Sequence, residues 1–134
     1  MIHTLIVSKD RQTFSNVEEM FSKSRFETDW SDSGTTALSL LLEKSYDLLI
    51  IEEALPDMTG KNFIADVVKT SPMINCVVSS PLTKKRFHQV YEGLGVLMQF
   101  TIMPGRKEAQ NLLDHYKQIS SLQNKISFSG ETNK

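Results

Sequence analysis

The sequence predicts an α/β fold: a single doubly wound, five-stranded parallel sheet in the strand order 2-1-3-4-5, with helices on both faces. Two observations predict it. Five short apolar runs alternate with five segments whose apolar residues recur at helical spacing, all within about 120 residues. The run at residues 48–51 is apolar throughout, which is typical of a parallel strand buried on both faces. Right-handed crossovers leave few topologies, and the order 2-1-3-4-5 is common for such sheets.

Each predicted strand is a short run of apolar or alternating residues. The segment FETDWS alternates between apolar and polar residues and therefore predicts a half-buried strand, whereas the other four runs are mainly apolar. In chain order, the predicted strands are residues 4–7, 26–31, 48–51, 74–78 and 96–102.

Each predicted helix carries an apolar stripe. Asp10 and Ser33 stand where N-caps would serve the first two helices, because short polar side chains accept hydrogen bonds from the exposed amides there. Gly93 and Gly95 predict a helix end and a turn. The helices are marked by Phe14, Val17 and Phe21; by residues 33–44; by Phe63, Ile64, Val67 and Val68; by Phe87, Val90, Tyr91 and Leu94; and by Ala109, Leu112, Leu113, Tyr116 and Ile119.

The composition of the chain argues against several classes of function. The net charge is -1 and both signs are spread along the chain, so we expect no general attraction to nucleic acid or anionic lipid. The N-terminus lacks a signal-peptide pattern and no apolar run is long enough for a membrane span, which predicts a cytoplasmic protein. Cys76 lies in an apolar run, as an inert core thiol would. Dispersed histidines and the lack of a glycine-rich phosphate loop indicate neither a metal site nor a cofactor.

Chemistry in an open parallel sheet is expected beyond the carboxyl ends of the strands, here between strands one and three. The residues that follow Val7 and Ile51 face each other across this crevice, and the residue after strand four borders it. The candidates are Ser8, Lys9, Asp10, Glu52, Glu53 and Ser79.

Three stretches resemble one family. DLLIIEEALPDMTG, residues 47–60, is similar to the segment of response-regulator receiver domains that carries the phospho-accepting aspartate, with Pro56 and Gly60 in register. Asp57 is expected to form the turn there rather than to accept phosphate. CVVSS resembles the strand ending in the Ser or Thr that contacts the phosphoryl group. MPGRKEAQNLL resembles the Lys-Pro turn that leads into the last helix.

The resemblance covers about residues 2–122, nearly the whole chain. It implies one receiver-like domain, residues 1–122, followed by a flexible C-terminal tail, residues 123–134. The tail contains a short apolar segment, ISF at residues 126–128, which could dock on a partner, although we rather expect it to be disordered.

The resemblance also implies a degenerate phosphorylation pocket. A working receiver holds a divalent cation with an acid pair after strand one, but Ser8 and Lys9 occupy that register, with Asp10 one step on. Glu52 replaces the phospho-accepting aspartate and moves the carboxylate outward by about 1.5 Å. A misplacement of about 1 Å can cost roughly a hundredfold in rate. Met103, or the residue before it, occupies the position of the phosphoryl-binding lysine.

Ser79 alone meets the family's requirement, and the resemblance marks Ser79 and Phe100 as the switch pair. As a hypothesis, Lys9 and Glu52 form an ion pair in which the ammonium replaces the charge of the metal ion. The plain alternative is that Glu52 and Glu53 are ordinary solvated carboxylates at a strand end.

These features predict a stand-alone pseudo-receiver, without enzymatic activity, that acts as a phosphorylation-independent protein-interaction module in two-component signal transduction. By resemblance, its interaction face comprises the fourth helix, fifth strand and fifth helix, about residues 83–122, and serves protein partners or a homodimer. Two alternatives stay open: Asp10, Glu52 and Glu53 hold a divalent cation in an atypical phospho-switch, or the crevice binds a small ligand. The basic stretch TKKRFHQ, residues 83–89, is either a solvated helix start or a contact for an acidic partner.

Overall fold

The observed sheet has the predicted order. The computed structural model describes residues 1–118, so the predicted domain end at residue 122 and the tail at 123–134 lie outside the described residues. Five parallel strands are hydrogen-bonded in the order β2-β1-β3-β4-β5. They are β1 (Ile2–Val7), β2 (Phe26–Ser31), β3 (Leu48–Glu52), β4 (Asn75–Ser79) and β5 (Val96–Phe100).

Helices connect successive strands. A 3-10 turn, Arg11–Phe14, runs into the first of them. Among residues 1–118, no helix combines the length and apolar character that crossing a bilayer requires. The helices are α1 (Ser15–Ser22), α2 (Gly34–Glu43), α3 (Gly60–Thr70), α4 (Lys84–Tyr91) and α5, which occupies residues 106–118 of the described chain.

Two hydrophobic layers enclose the sheet. The four apolar residues of β3 are completely buried, as their sequence predicts, and alternate between the layers. Leu49 and Ile51 enter the layer formed with α2, α3 and α4, which includes Phe63. Leu48 and Ile50 enter the layer formed with α1 and α5. The carboxyl ends of β1 and β3 therefore lie side by side between helices that leave toward opposite faces.

β5 ends two residues before its predicted end. The sequence predicts a strand over residues 96–102, whereas the observed strand stops at Phe100. The amide and hydroxyl of Thr101 donate to the Glu108 carboxylate at 2.8 and 2.7 Å. Glu108, near the start of α5, thus holds the chain that follows β5 where it leaves the sheet.

The first helix is interrupted near its start. The apolar spacing predicts a continuous helix, but a 3-10 turn precedes α1. Asp10 is confirmed as an N-cap, because its Oδ1 accepts from the amide of Gln12 at 3.0 Å. Ser33 is likewise confirmed as the cap of α2, where its hydroxyl oxygen accepts from the amide of Thr36.

The β3–α3 loop is held by the start of α2. Asp57 accepts from the amides of Gly34 and Thr35 at 3.0 and 2.9 Å and from the Thr35 hydroxyl at 2.6 Å. These hydrogen bonds, the Thr35 hydroxyl first, lower the pKa of Asp57 to about 2. Gly34 lets the loop approach closely, since a Cβ there would lie 2.5 Å from Met58 Sδ. Asp57 is therefore a second cap of α2, beyond the turn role that the sequence indicates.

We expect Asp57→Asn to lower the melting temperature at neutral pH, because an amide replaces a charged acceptor at a helix N-terminus. The folded pKa, about 2, lies below the ordinary value of 3.8. The stabilisation is therefore complete above the ordinary pKa and is lost as the pH falls toward the folded pKa. Thermal unfolding followed by circular dichroism should show the two melting temperatures converging across that range. Asp66→Asn, on the exposed side of α3, is the control, and a constant difference at all pH values would contradict the capping role.

Candidate functional site

Glu52, at the end of β3, meets the residues that follow β1, as the switch-point argument predicts. Its Oε2 lies 2.8 Å from the hydroxyl oxygen of Ser8 and accepts from the Lys9 amide at 3.2 Å. The buried Ser8 hydroxyl is also 2.9 Å from the carbonyl oxygen of Asp10, and its single proton serves one acceptor at a time. The carboxylate is thus held by protein donors at the crevice.

The predicted Lys9–Glu52 ion pair is wrong. Five pairs of a basic and an acidic side chain, one of them through His3, approach within 4.0 Å among residues 1–118, and none joins Lys9 to Glu52. Lys9 is exposed and contacts Glu52 through its backbone N–H instead. An exposed ammonium gains little from pairing and loses side-chain entropy, while the backbone donor is already in place.

The three carboxylates of the phospho-switch alternative do not converge. Asp10 caps the turn after β1, and Glu52 faces Ser8. Glu53 turns the other way and accepts from the hydroxyls of Ser80 and Tyr91 at 3.1 and 2.8 Å. Within the described chain, no three His, Cys, Asp or Glu side chains cluster closely enough to hold a metal ion. Asp10, Glu52 and Glu53 therefore do not form a shared three-carboxylate site for a magnesium ion.

Ser79 and Phe100 are direct partners in the β4–β5 ladder, and both are buried. The hydroxyl of Ser79 donates to the carbonyl oxygen of Thr101 at 2.7 Å. It is therefore bonded along the ladder, and no hydrogen bond within residues 1–118 links it to Glu52. Phe100 packs in the layer under α1 and α5.

Met103 lies on the surface. Its exposed fraction is 75%, and that of Ile102, the alternative in register, is 58%. Both belong to the loop that Glu108 holds through Thr101. Neither side chain is charged, so the position that the resemblance gives to a phosphoryl-binding lysine offers no cation. Of the predicted site residues, the structure joins Ser8, Lys9 and Glu52 by hydrogen bonds, and the backbone of Asp10 is hydrogen-bonded to Ser8. Ser79 is the direct partner of Glu52 in the β3–β4 ladder, although its hydroxyl is bonded to Thr101, and Met103 lies in the exposed loop after β5.

A second polar cluster, which the sequence does not predict, joins β3 to α4. We call it the Glu53 clamp; it comprises Glu53, Ser80, Tyr91 and Gln99. Besides the two hydroxyl contacts of Glu53, the side-chain amide of Gln99 donates to the carbonyl oxygens of Ser80 and Leu82 at 3.2 and 2.7 Å. Burial and then the Glu53 carboxylate raise the pKa of Tyr91 far above its ordinary value, so Tyr91 remains a donor. The clamp fixes the β4–α4 loop from both neighbouring strands.

Gly60 makes room for the clamp. Its amide donates to the carbonyl oxygen of Glu53 at 2.7 Å. A Cβ at this position would lie 3.0 Å from Glu53 Cα and 3.2 Å from the hydroxyl oxygen of Tyr91, both tighter than ordinary van der Waals contact. In the sequence, the clamp could be recognised only from the paired glutamates at the end of β3 and an aromatic residue in the apolar stripe of α4. Their contact spans 38 positions and does not follow from local periodicity.

We expect Tyr91→Phe to destabilise the protein by about 1 kcal/mol. Hydrogen bonds to charged groups contribute about 1.5–3 kcal/mol, and water can partly replace the lost donor at the partly exposed Glu53 carboxylate. Amide hydrogen exchange in α4 should accelerate more than exchange elsewhere, because the helix loses its tie to β3.

Tyr46→Phe is the matched control, since the Tyr46 hydroxyl donates to Asp29 at 2.6 Å, away from α4. It should cost similar stability without a selective change in α4. If the two variants showed the same pattern of amide hydrogen exchange, the Glu53 clamp would not be what positions α4.

Comparisons with known proteins agree with this geometry. The family model described as "Response regulator receiver domain" matches residues 4–97, more than half of the chain. No curated protein matches the chain significantly in sequence.

Several solved structures share the fold. The CheY-like receiver domain protein of Methanospirillum hungatei JF-1 superposes with a TM-score of 0.77 at 16% identity, covering 94% of this chain and 98% of that one. Chemotaxis response regulator CheY4 of Vibrio cholerae gives 0.77 at 17% identity, covering 86% and 98%. The receiver domain of an HD domain-containing protein from Pseudomonas fluorescens Pf-5 gives 0.75 at 18% identity, covering 94% and 91%. Sheet order, helix placement and family match lead to one conclusion: the chain belongs to the response regulator receiver domain family of two-component signalling proteins.

Proposed function

We propose that this chain is a pseudo-receiver, a cytoplasmic protein-interaction module that works without phosphorylation or catalysis. The observation that carries the proposal is the state of the Glu52 carboxylate, which is already engaged by the Ser8 hydroxyl and the Lys9 amide. Receiver domains are in general signalling modules rather than enzymes, so loss of the phosphoryl chemistry leaves their surface as the working part.

The surroundings of Glu52 support the proposal electrostatically. A divalent cation screens the incoming phosphoryl charge and takes carboxylate oxygens as ligands. Beside Glu52 stand the neutral hydroxyl of Ser8 and the backbone of Lys9, while the Asp10 carboxylate is used as a cap. The Asp10 carboxylate is thus already used in capping, and Met103 is uncharged and exposed and supplies no balancing cation.

The Glu53 clamp supports phosphorylation independence in a second way. It ties the strand that carries the acceptor position to α4 through side chains that need no phosphoryl group. Meanwhile the Ser79 hydroxyl is bonded to Thr101. We infer that the face of α4, β5 and α5, about residues 83–122, is held in one arrangement and serves a protein partner; residues beyond 118 lie outside the described chain.

The alternatives have less support. The atypical phospho-switch needs Asp10, Glu52 and Glu53 to share an ion, yet each accepts hydrogen bonds from different partners. A small-ligand site at the switch point would need a cavity there. Two grooves of the described chain, of about 800 and 530 Å³, lie elsewhere, and neither is lined by Ser8 or Glu52.

The test is a titration of the full chain with magnesium and then beryllium fluoride at millimolar concentrations, followed by amide NMR shifts. We expect no saturable change around Glu52, Ser79 and Phe100, because the carboxylates of Glu52 and Asp10 already accept hydrogen bonds from protein donors. The matched variant restores the family's residues by Ser8→Asp, Lys9→Asp, Glu52→Asp and Met103→Lys, and its response would show that the fold can still support the chemistry. A saturable shift in the unmodified chain would overturn phosphorylation independence.

A further inference from the structure

A groove of about 530 Å³ lies at the amino ends of β3 and β4, at the opposite end of the sheet from Glu52. We call it the amino-end groove. Its volume falls in the range of binding pockets, about 300–1,000 Å³. Side chains from three parts of the chain form its apolar wall: Leu41 from α2, Pro72, Met73 and Ile74 from the α3–β4 loop, and Tyr116 from α5.

The loop between α3 and β4 presents apolar surface to solvent. Met73 is 90% exposed, the highest fraction among the large apolar residues of the described chain, and its neighbour Pro72 is also exposed. A turn holds them in place, because the amide of Ile74 donates to the carbonyl oxygen of Ser71 at 3.2 Å. Single exposed apolar residues are ordinary, but apolar side chains that adjoin one another around a concave surface mark an interaction site.

Helix α5 leads the chain to the amino-end groove. Tyr116 belongs to the last described turn of α5 and lines the groove. Its ring packs edge-on against Phe26, with the ring centroids 5.7 Å apart. The described chain stops two residues later, at Gln118. Residues 119–134 therefore start directly beside the groove.

The ISF segment, residues 126–128, is within reach of the groove. Eight residues separate Gln118 from Ile126. Such a stretch spans at most about 29 Å when fully extended. A short tether gives an effective concentration in the millimolar range, so even a weak contact is well populated within one chain.

The charges of the segment and the groove are complementary. The exposed carboxylate of Asp47 lines the groove and is held there by the amide of His3, which donates to Oδ2 at 2.9 Å. Among residues 1–118, no cationic side chain lies within 4.0 Å of Asp47. Lys125 directly precedes the ISF segment. An exposed pair of this kind adds little affinity but favours one orientation.

We propose that the ISF segment docks in the amino-end groove of its own chain. In an extended segment, residues two positions apart share a face, so Ile126 and Phe128 together would lie against Met73 and Ile74. The docked segment would cover apolar surface that otherwise invites contact with other molecules. This inference goes beyond the proposed function, since it concerns the other end of the sheet and needs no phosphoryl group.

The experiment is paramagnetic broadening of amide NMR signals in the full chain. Ser129→Cys places a nitroxide label next to the ISF segment. Cys76 stays unlabelled, because it is 2% exposed and its burial raises the pKa of the thiol to about 12. Amides of Asp47 and Ile74 should lose at least about half of their intensity, as expected for a tethered segment that is docked half of the time or more. Amides near Glu52 should keep theirs.

Variants of the tail show whether the apolar side chains are responsible. The double variant Ile126→Ser with Phe128→Ser should restore the intensity of the groove amides. Gln123→Ser with Thr132→Ser is the matched control, since it changes two polar residues of the same stretch, and should leave the broadening as it was. Broadening that survives the loss of both apolar side chains would overturn the proposal.

Variants of the groove give a second test. Met73→Asp should also reduce the broadening, and it leaves the core intact because the Met73 side chain is exposed. Met103→Asp changes another exposed methionine, after the carboxyl end of β5, and should have no effect on it. Equal effects of the two variants would contradict docking at the groove.

Other occupants of the groove are distinguished by the same label. Isotope-labelled chain without a nitroxide is mixed with nitroxide-labelled chain of natural isotopic composition, so that broadening reports contact between copies. Groove broadening as strong as in the singly labelled chain would replace the proposal by docking on a second copy. Absence of groove broadening in both samples would end the proposal and leave the groove open to a different protein. Either result leaves the proposed function intact, since the magnesium and beryllium fluoride titration reads the opposite end of the sheet.

Discussion

The burial of β3 on both faces is the constraint on which the other features depend. Residues Leu48–Ile51 are fully enclosed between two helical layers and are hydrogen-bonded to β1 and β4. Such a strand cannot shift register without exposing apolar side chains, so the place where it leaves the sheet is determined. Glu52 and Glu53 emerge there on opposite sides, one toward β1 and the other toward α4. Because β3 ends at this point, Glu52 lies in the crevice with Ser8 while Glu53 belongs to the Glu53 clamp.

Most of the fold is predictable from the sequence because it depends on local patterns. Apolar runs and helical stripes locate the five strands and their connections, and the caps Asp10 and Ser33 come from short-range chemistry. The deviations occur where a residue farther along the chain accepts hydrogen bonds from the backbone. The chain after β5 is held by Glu108, which accepts from the amide and hydroxyl of Thr101, seven residues earlier. The same holds for Asp57, whose amide partners at α2 lie 22 and 23 residues earlier in the chain.

The candidate site was predictable in position but not in contacts. Strand order alone brings Ser8, Lys9 and Glu52 together, yet it says nothing of which atom of Lys9 faces the carboxylate. A backbone N–H at a fixed place competes successfully with a flexible ammonium that water solvates well. The resemblance directs attention to Glu52, whereas the link to α4 is made by its neighbour Glu53, a side chain with no assigned role in that pattern.

Gly60 approaches Glu53 and Tyr91 closely, so the residues at these three positions depend on one another. An added Cβ there would press on Glu53 Cα and on the hydroxyl oxygen of Tyr91. Sequence change at one of these positions therefore alters what the other two tolerate. In related chains the three should vary as a set, with a larger residue at position 60 accompanied by a smaller side chain at position 91. Family members that keep all three residues would then be those in which α4 is hydrogen-bonded to the end of β3 whether or not a phosphoryl group is present.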